Sequence, residues 1–194
     1  MSKSDLTKQK IAISMKELLK THSFEDISIE TLSKYTNISR NTFYYHFKDK
    51  YDVINWIFYS DITPIVTKTY TLKTWSKGLE LLCEYMQNNK EFYIKVLHVS
   101  GQNSFTECLL DFYKNLVYNL IKSTGGNQIL KDEHIKIIAD FYAFGLTGII
   151  TNWAKHDMVI DPKPIIKILE GLLSGEILDK ILSLNVTNNN INLL

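Results

Sequence analysis

The chain is poor in the residues that carry most catalytic and extracellular chemistry. Its 194 residues include two cysteines, three prolines, eight glycines and five histidines, and Arg40 is its only arginine. Cys83 and Cys108 have no C-x-x-C spacing, so they build no disulfide framework and read as free thiols of a reducing compartment. Prolines stand only at 64, 162 and 164, and no segment sustains an alternation of period two. That excludes a sheet fold in favour of long helices with few breaks. No apolar run reaches the ~18 residues of a membrane span. The polar start, MSKSDLTKQK, lacks the hydrophobic stretch of a signal peptide. These absences together lead to the expectation of a cytoplasmic protein.

Catalytic signals are missing as well. His22, His46, His98, His134 and His156 are scattered, with no H-E-x-x-H pair on one helix. There is no Walker loop, no G-x-G-x-x-G and no G-x-S-x-G elbow, so catalytic residues, cofactor and metal are each expected to be none. His98 with Cys108 could share a metal only if their helices meet. The formal charge is +1. Residues 1–50 hold a net +3 and the remainder a net −2. A mildly basic head on a slightly acidic body suits a nucleic-acid reader with a separate regulatory part, although ordinary charge scatter explains so small a difference equally well.

What is present is a concentrated signal between Ser28 and Lys50, SIETLSKYTNISRNTFYYHFKDK. Ser28 is placed to cap a first short helix, and Ile29, Leu32 and Tyr35 are expected on its inner face. Asn37 tolerates the left-handed conformation of a turn, and Ser39 can cap a second helix from Arg40 to about Phe47. Phe43 and Phe47, four apart, turn inward. Two helices joined by so short a turn form a helix-turn-helix, in which the start of the second helix reaches base edges. Arg40 sits where a bidentate contact to guanine is made, and Asn41 beside it could pair with adenine. Thr42, Tyr44 and His46 can bond phosphate oxygens, with Tyr45 on the same exposed side, and Lys48 and Lys50 add charge. Ser28, Thr31 and Ser39, at the two helix starts, complete the expected DNA-facing set.

The run I-S-I-E-T-L-S-K-Y-T-N-I-S-R-N-T-F-Y-Y-H-F-K-D-K resembles the DNA-binding domain of the TetR/AcrR family of bacterial regulators. Thr42 to Lys50 is its most specific part, and the resemblance covers roughly the first 55 residues. Ser33 stands where the family usually has alanine, and Asn37 where it often has glycine. Beyond residue 55 only the helical layout is similar. The aromatics after D-K-Y-D and the late F-Y-A-F-G-L-T-G-I-I look most like a branch that includes regulators of dihydroxyacetone kinase operons. The resemblance implies an all-α fold of about nine helices. A three-helix head (1–50) would join through a linking helix to a regulatory and dimerisation body (51–184), followed by a flexible tail (185–194).

The order of elements can be read in the same terms. The first helix is expected from about Thr7 to Thr21 with Asp5 as cap, and a fourth from Tyr51, kinked rather than ended by Pro64. Body helices are expected at 74–89, 91–99, 104–123, 131–156 and from Pro162 to about Leu184, with breaks at 101–103 and 125–126. Along 135–153 the apolar groups form two stripes, one through Ile138, Tyr142 and Ile149, the other through Phe141, Phe144, Gly145 and Gly148. The family dimerises by packing four helices across a two-fold axis. The resemblance thus implies an interface from these four residues with Ile149 and Asn152, joined by Ile165, Ile168, Leu169 and Leu172. Both stripes could instead be covered within one chain. An apolar effector is implied in the body, held by Tyr85, Tyr93, His98, Phe112, Tyr113 and Tyr142, and plain core packing is the alternative for the same groups.

Three function classes fit to different degrees. The first is a homodimeric regulator that binds palindromic operator DNA and is switched by a small-molecule effector. The second keeps the same head but is switched by a partner protein, and the third is a cofactor-free helical enzyme. The exposed polar helix from Arg40 disfavours the enzyme. Whether the regulator represses or activates depends on where its operator lies.

Overall fold

The computed structural model describes residues 2–69, 71, 74–99, 104–177, 179 and 183. Among them the chain is all helical. The elements are α1 (Lys3–Thr21), α2 (Ile29–Thr36), α3 (Arg40–His46), α4 (Lys50–Thr69), α5 (Trp75–Asn88), α6 (Lys90–Leu97), α7 (Phe105–Ser123), α8 (Asp132–Lys155) and α9 (Pro162–Leu173). A single 3-10 turn over Gly126–Gln128 sits at the expected Gly125-Gly126 loop. The break expected at 101–103 and the tail at 185–194 lie outside the described residues.

α1 starts four residues earlier than its apolar pattern indicates. Ser2 is the cap: its hydroxyl accepts from the Asp5 amide, and Asp5 in turn accepts from the Ser2 amide. Asp5 is thus the partner in a reciprocal capping box rather than the cap itself. Ile11, Met15, Leu18 and Leu19 close on Phe24, Ile27, Leu32, Phe43 and Phe47 to make the head's core. The third member expected on the inner face of α2 is not there, since Tyr35 is 57% exposed and Thr36 is buried in its place. The reason is geometric. Steps of three residues drift about 60° round a helix each time, whereas the seventh residue returns to the starting face.

α4 runs through Pro64 without ending, as its apolar pattern suggests. Its start is held by Asp49, which accepts from the Asp52 amide at 2.8 Å. It buries Val53, Ile54, Ile57, Phe58 and Ile62.

Head and body are also tied directly. Lys16 of α1 pairs with Asp61 of α4 at 2.9 Å, and the Tyr85 hydroxyl of α5 donates to the same carboxylate oxygen at 2.5 Å. Lys95 of α6 donates to the carbonyls of Leu19, Lys20 and His22 at the end of α1. A cation there meets both unpaired carbonyls and the negative end of the helix dipole.

In the body, α8 packs along α7, while α9 packs against α5. The two pairs are joined at one end, where Trp153 Nε1 donates to the Ile160 carbonyl at 2.8 Å and Gln87 donates to the Met158 carbonyl at 3.0 Å. α9 opens on Asp161, whose side chain accepts from the Lys163 amide, with Pro162 at its first position. It ends about ten residues sooner than expected. Gly175 has φ +80°, a left-handed conformation that stops the helix, and residues 176 and 177 begin a new helical stretch.

Candidate nucleic-acid interface and effector cleft

The geometry of the reading head follows from local chemistry. α2 ends with Asn37 at φ 57° and ψ 53°. The Asn37 amide donates to the Lys34 carbonyl and the Ile38 amide to that of Ser33, so the last carbonyls of α2 are satisfied in a Schellman turn. Asparagine does here what glycine would do, at smaller conformational cost than other side chains. Ser33 is 97% buried and its hydroxyl has no hydrogen-bond partner among the described residues. The turn delivers Ser39, whose hydroxyl accepts from the Thr42 amide at 3.0 Å and caps α3.

α3 rests on Phe43, which is fully buried, and is followed by buried Phe47. Arg40, Asn41, Tyr44 and Tyr45 are exposed, Tyr45 at 82%, and Thr42 and His46 are half-buried. Arg40, Asn41, Tyr44 and Tyr45 thus share one outward face, while Thr42 and His46 lie towards its edge. Ser28 caps α2 with its hydroxyl 2.9 Å from that of Thr31, at the start of the neighbouring helix. Lys48 is exposed beyond the end of α3.

Lys50 is a correction. Its ammonium donates to the carbonyls of Phe24, Glu25 and Ile27 at 2.7, 3.0 and 3.0 Å, and it lies 4.5 Å over the Phe24 ring. An ammonium has three donors, and all three are used. Lys50 staples the α1–α2 connection and is not available to a phosphate. Burial lowers its pKa, against the pull of Glu25 and Asp26. The first turn of α1 also lies beside α3, a placement with no local signal in the sequence. Ser4 Oγ lies 3.4 Å from His46 Nδ1, so that turn borders the end of α3. Only the fold reveals this, because the two residues are 42 positions apart.

The body contains a cleft of about 1650 Å³ between the α7–α8 pair and the α5–α9 pair. Phe112, Tyr113 and Tyr142 line it, as expected, with Trp75, Leu79, Leu82, Leu116, Leu120, Ile138 and Leu146. Tyr85, Tyr93 and His98 do not line it. Tyr85 is committed to Asp61. Tyr93 is 99% buried in the core, its ring 6.0 Å from that of Tyr85. His98 is exposed, and its Nδ1 sits 2.6 Å from the Ile94 carbonyl of its own helix. Burial raises the pKa of the tyrosine hydroxyls of Tyr85 and Tyr93 well above the usual value. It also pushes the thiols of Cys83 and Cys108 up to about 12.

The expected interface face divides in two. Phe141 (73%), Phe144 (61%), Ile168 (56%) and Leu172 (45%) are exposed. Gly145, Gly148 and Asn152 are exposed with them, while Ile149, Ile165 and Leu169 are half-buried inside the chain.

A helix-turn-helix with a polar outward second helix, tied to a helical body, defines a class of transcription regulators. The comparisons agree with that class. Residues 16–55 match the family described as bacterial regulatory proteins, tetR family, and residues 73–175 match the transcriptional regulator C-terminal region. The chain belongs to the TetR family of transcriptional regulators. A curated relative, the HTH-type dhaKLM operon transcriptional activator DhaS of Lactococcus lactis, is 28% identical over 121 residues. That match spans 62% of this chain and 64% of the relative, somewhat less than two thirds of its length. Among solved structures, the dihydroxyacetone kinase operon activator DhaS superposes with a TM-score of 0.60 at 21% identity, over 88% of this chain and 95% of that one. Thermus thermophilus FadR, a transcriptional repressor in complex with lauroyl-CoA, gives 0.62 at 14%, over 87% and 94%.

Proposed function

We propose that this regulator binds an inverted-repeat operator as a homodimer, with α3 of each protomer in the major groove and an apolar effector in the body cleft. The observation that carries the DNA reading is the outward set Arg40, Asn41, Tyr44 and Tyr45, on a helix capped by Ser39 and fixed beneath by Phe43. Arg40 reads a guanine, Lys48 meets phosphate, and α8 with α9 forms the two-fold interface. The two recognition helices then stand about 34–36 Å apart, one turn of B-DNA, or a small multiple of it. The likeness to DhaS makes promoters of dihydroxyacetone-kinase genes the first DNA to test, alongside the promoter of the chain's own gene.

The test combines sedimentation of the purified protein with binding to those promoter fragments. A dimer that protects two symmetric half-sites is the expected result. Monomer at micromolar concentration with no promoter bound would refute the reading.

A further inference from the structure

The head is held to the body by more than the continuous length of α4. Asn89 turns α5 into α6: its carbonyl accepts from the Phe92 and Tyr93 amides, and its side chain donates to the Tyr85 carbonyl at 2.9 Å. Tyr93 anchors this corner in the core of the body, its ring 5.7 Å from that of Phe105. Tyr85, Phe92 and Lys95 therefore stand on one braced unit.

Two grips on α1 come from that unit. The first is at Lys16. Its ammonium lies 2.9 Å from Asp61 Oδ2 and 5.6 Å over the Phe92 ring, and the Tyr85 hydroxyl donates to the same Asp61 oxygen. The second is Lys95, whose ammonium donates to the carbonyls of Leu19, Lys20 and His22, the last two at 3.5 and 3.3 Å. With a rise of about 1.5 Å per residue, the two grips are about 5–9 Å apart along α1. A head joined through α4 alone could swivel about that helix. Held also at two separate points of α1, it keeps one orientation on the body.

We infer that Lys95 and Lys16 are positioning residues that fix the angle of the head on the body, and that they thereby set the half-site spacing the regulator accepts. This rests on the reading of an inverted-repeat operator bound by a homodimer. Neither lysine is on α3, so neither selects the base sequence. Their effect is geometric. One base pair added between half-sites moves one of them about 3.4 Å along the duplex and turns it about 35°. Two heads of fixed orientation cannot follow that turn, whereas swivelling heads can.

The ties can be cut without unfolding the chain. Lys16 and Lys95 are half-buried, and the bonds from Lys95 to the Lys20 and His22 carbonyls are exposed, so water replaces the lost donor there.

The test uses the full chain and three duplexes: the inverted repeat that it protects in the promoter of its own gene, and the same repeat with its centre one base pair longer or shorter. The parent is expected to bind the altered spacings about 10-fold more weakly or worse. Lys95→Met and Lys16→Met should each narrow that ratio to about 3-fold or less at unchanged helix content, and Lys95→Arg, which keeps a charged donor, should restore it. Should Lys95→Met not fold, Lys16→Met alone decides. Folded variants that keep the parent's ratio, or that lose affinity equally on all three duplexes, overturn the inference and leave the operator reading standing. A parent that accepts the three spacings alike does the same. A parent that protects no inverted repeat overturns both.

Discussion

The head and the body of this protein treat their apolar groups in opposite ways. In the head, every large aliphatic and aromatic residue except Leu6, Ile13 and the tyrosines of α2 and α3 turns into a closed core, and the outward groups are polar or amphipathic. In the body, α8 packs along α7 and α9 against α5, and Phe141, Phe144, Ile168 and Leu172 are exposed among the described residues. The head closes its core beneath the outward face of α3. The body, among the described residues, keeps an open apolar cleft and an exposed apolar face. A regulator needs both properties, because the signal must deform something while the reading surface keeps its shape.

The sharpest way to break this comparison is to cut one aromatic ring from each region. Phe43→Ala removes a fully buried ring beneath the recognition helix. It should destabilise the chain by about 3–5 kcal/mol and abolish DNA binding. Phe144→Ala removes a ring that is 61% exposed, and should change the folding stability of the isolated chain by no more than about 0.5 kcal/mol while weakening self-association. Denaturant unfolding and sedimentation of both variants check this. Equal losses of stability would show that the body's exposed ring is packed within the chain after all.

Within the head, base reading and phosphate contact can be separated. Arg40→Ala should cost about 1–3 kcal/mol per half-site on the cognate operator and relax preference at one base pair. Lys48→Ala should weaken all sequences alike and lower the salt slope by roughly one per protomer. Competition against scrambled DNA over a range of salt distinguishes them. An equal loss on both DNAs for Arg40→Ala removes it from the base-reading role.

Lys50 sharpens the comparison further, since it is tied to three carbonyls while Lys48, two residues before it, is exposed. Lys50→Met should cost about 2 kcal/mol in folding stability, because three carbonyls lose a charged donor. Its salt slope for DNA should match that of the parent. A reduced slope with unchanged stability would put Lys50 back on the phosphate.

What could be read from the chain alone was what is encoded within a few residues. The turn at Asn37, the cap at Ser39 and the inward pair Phe43 and Phe47 depend on spacings of one to four, and all stand in the structure as expected. Tyr35 departs from the inner face because a three-residue repeat imitates a helical face at first and then drifts off it. The role of Lys50 was out of reach because its acceptors lie 23 to 26 residues earlier in the chain. Tyr85 has the composition of a pocket residue, yet its partner is 24 positions away on α4. The cleft itself leaves no local trace, since it is a place where two helix pairs fail to meet, and a pattern of apolar residues reads the same whether its faces touch or part.

The smallest expected effect lies at the seam between the two regions. Asp61 holds Lys16 of the head and Tyr85 of the body on one carboxylate oxygen, and Lys95 of α6 caps the end of α1. If α4 alone carried the link, removing the Tyr85 hydroxyl would be silent. Because Tyr85 is half-buried and donates to a charged acceptor, Tyr85→Phe should instead cost about 1 kcal/mol. Asp61 keeps Lys16 as a partner in that variant, so the loss stays below that of an orphaned charge. The change should appear as faster amide exchange in the last turns of α1, where the head is held against α5 and α6, with exchange in α7 and α8 unaltered. Exchange that rises evenly through the body would assign Tyr85 to the body core alone, and leave the Lys16–Asp61 pair and Lys95 as the direct ties between α1 and the regulatory half.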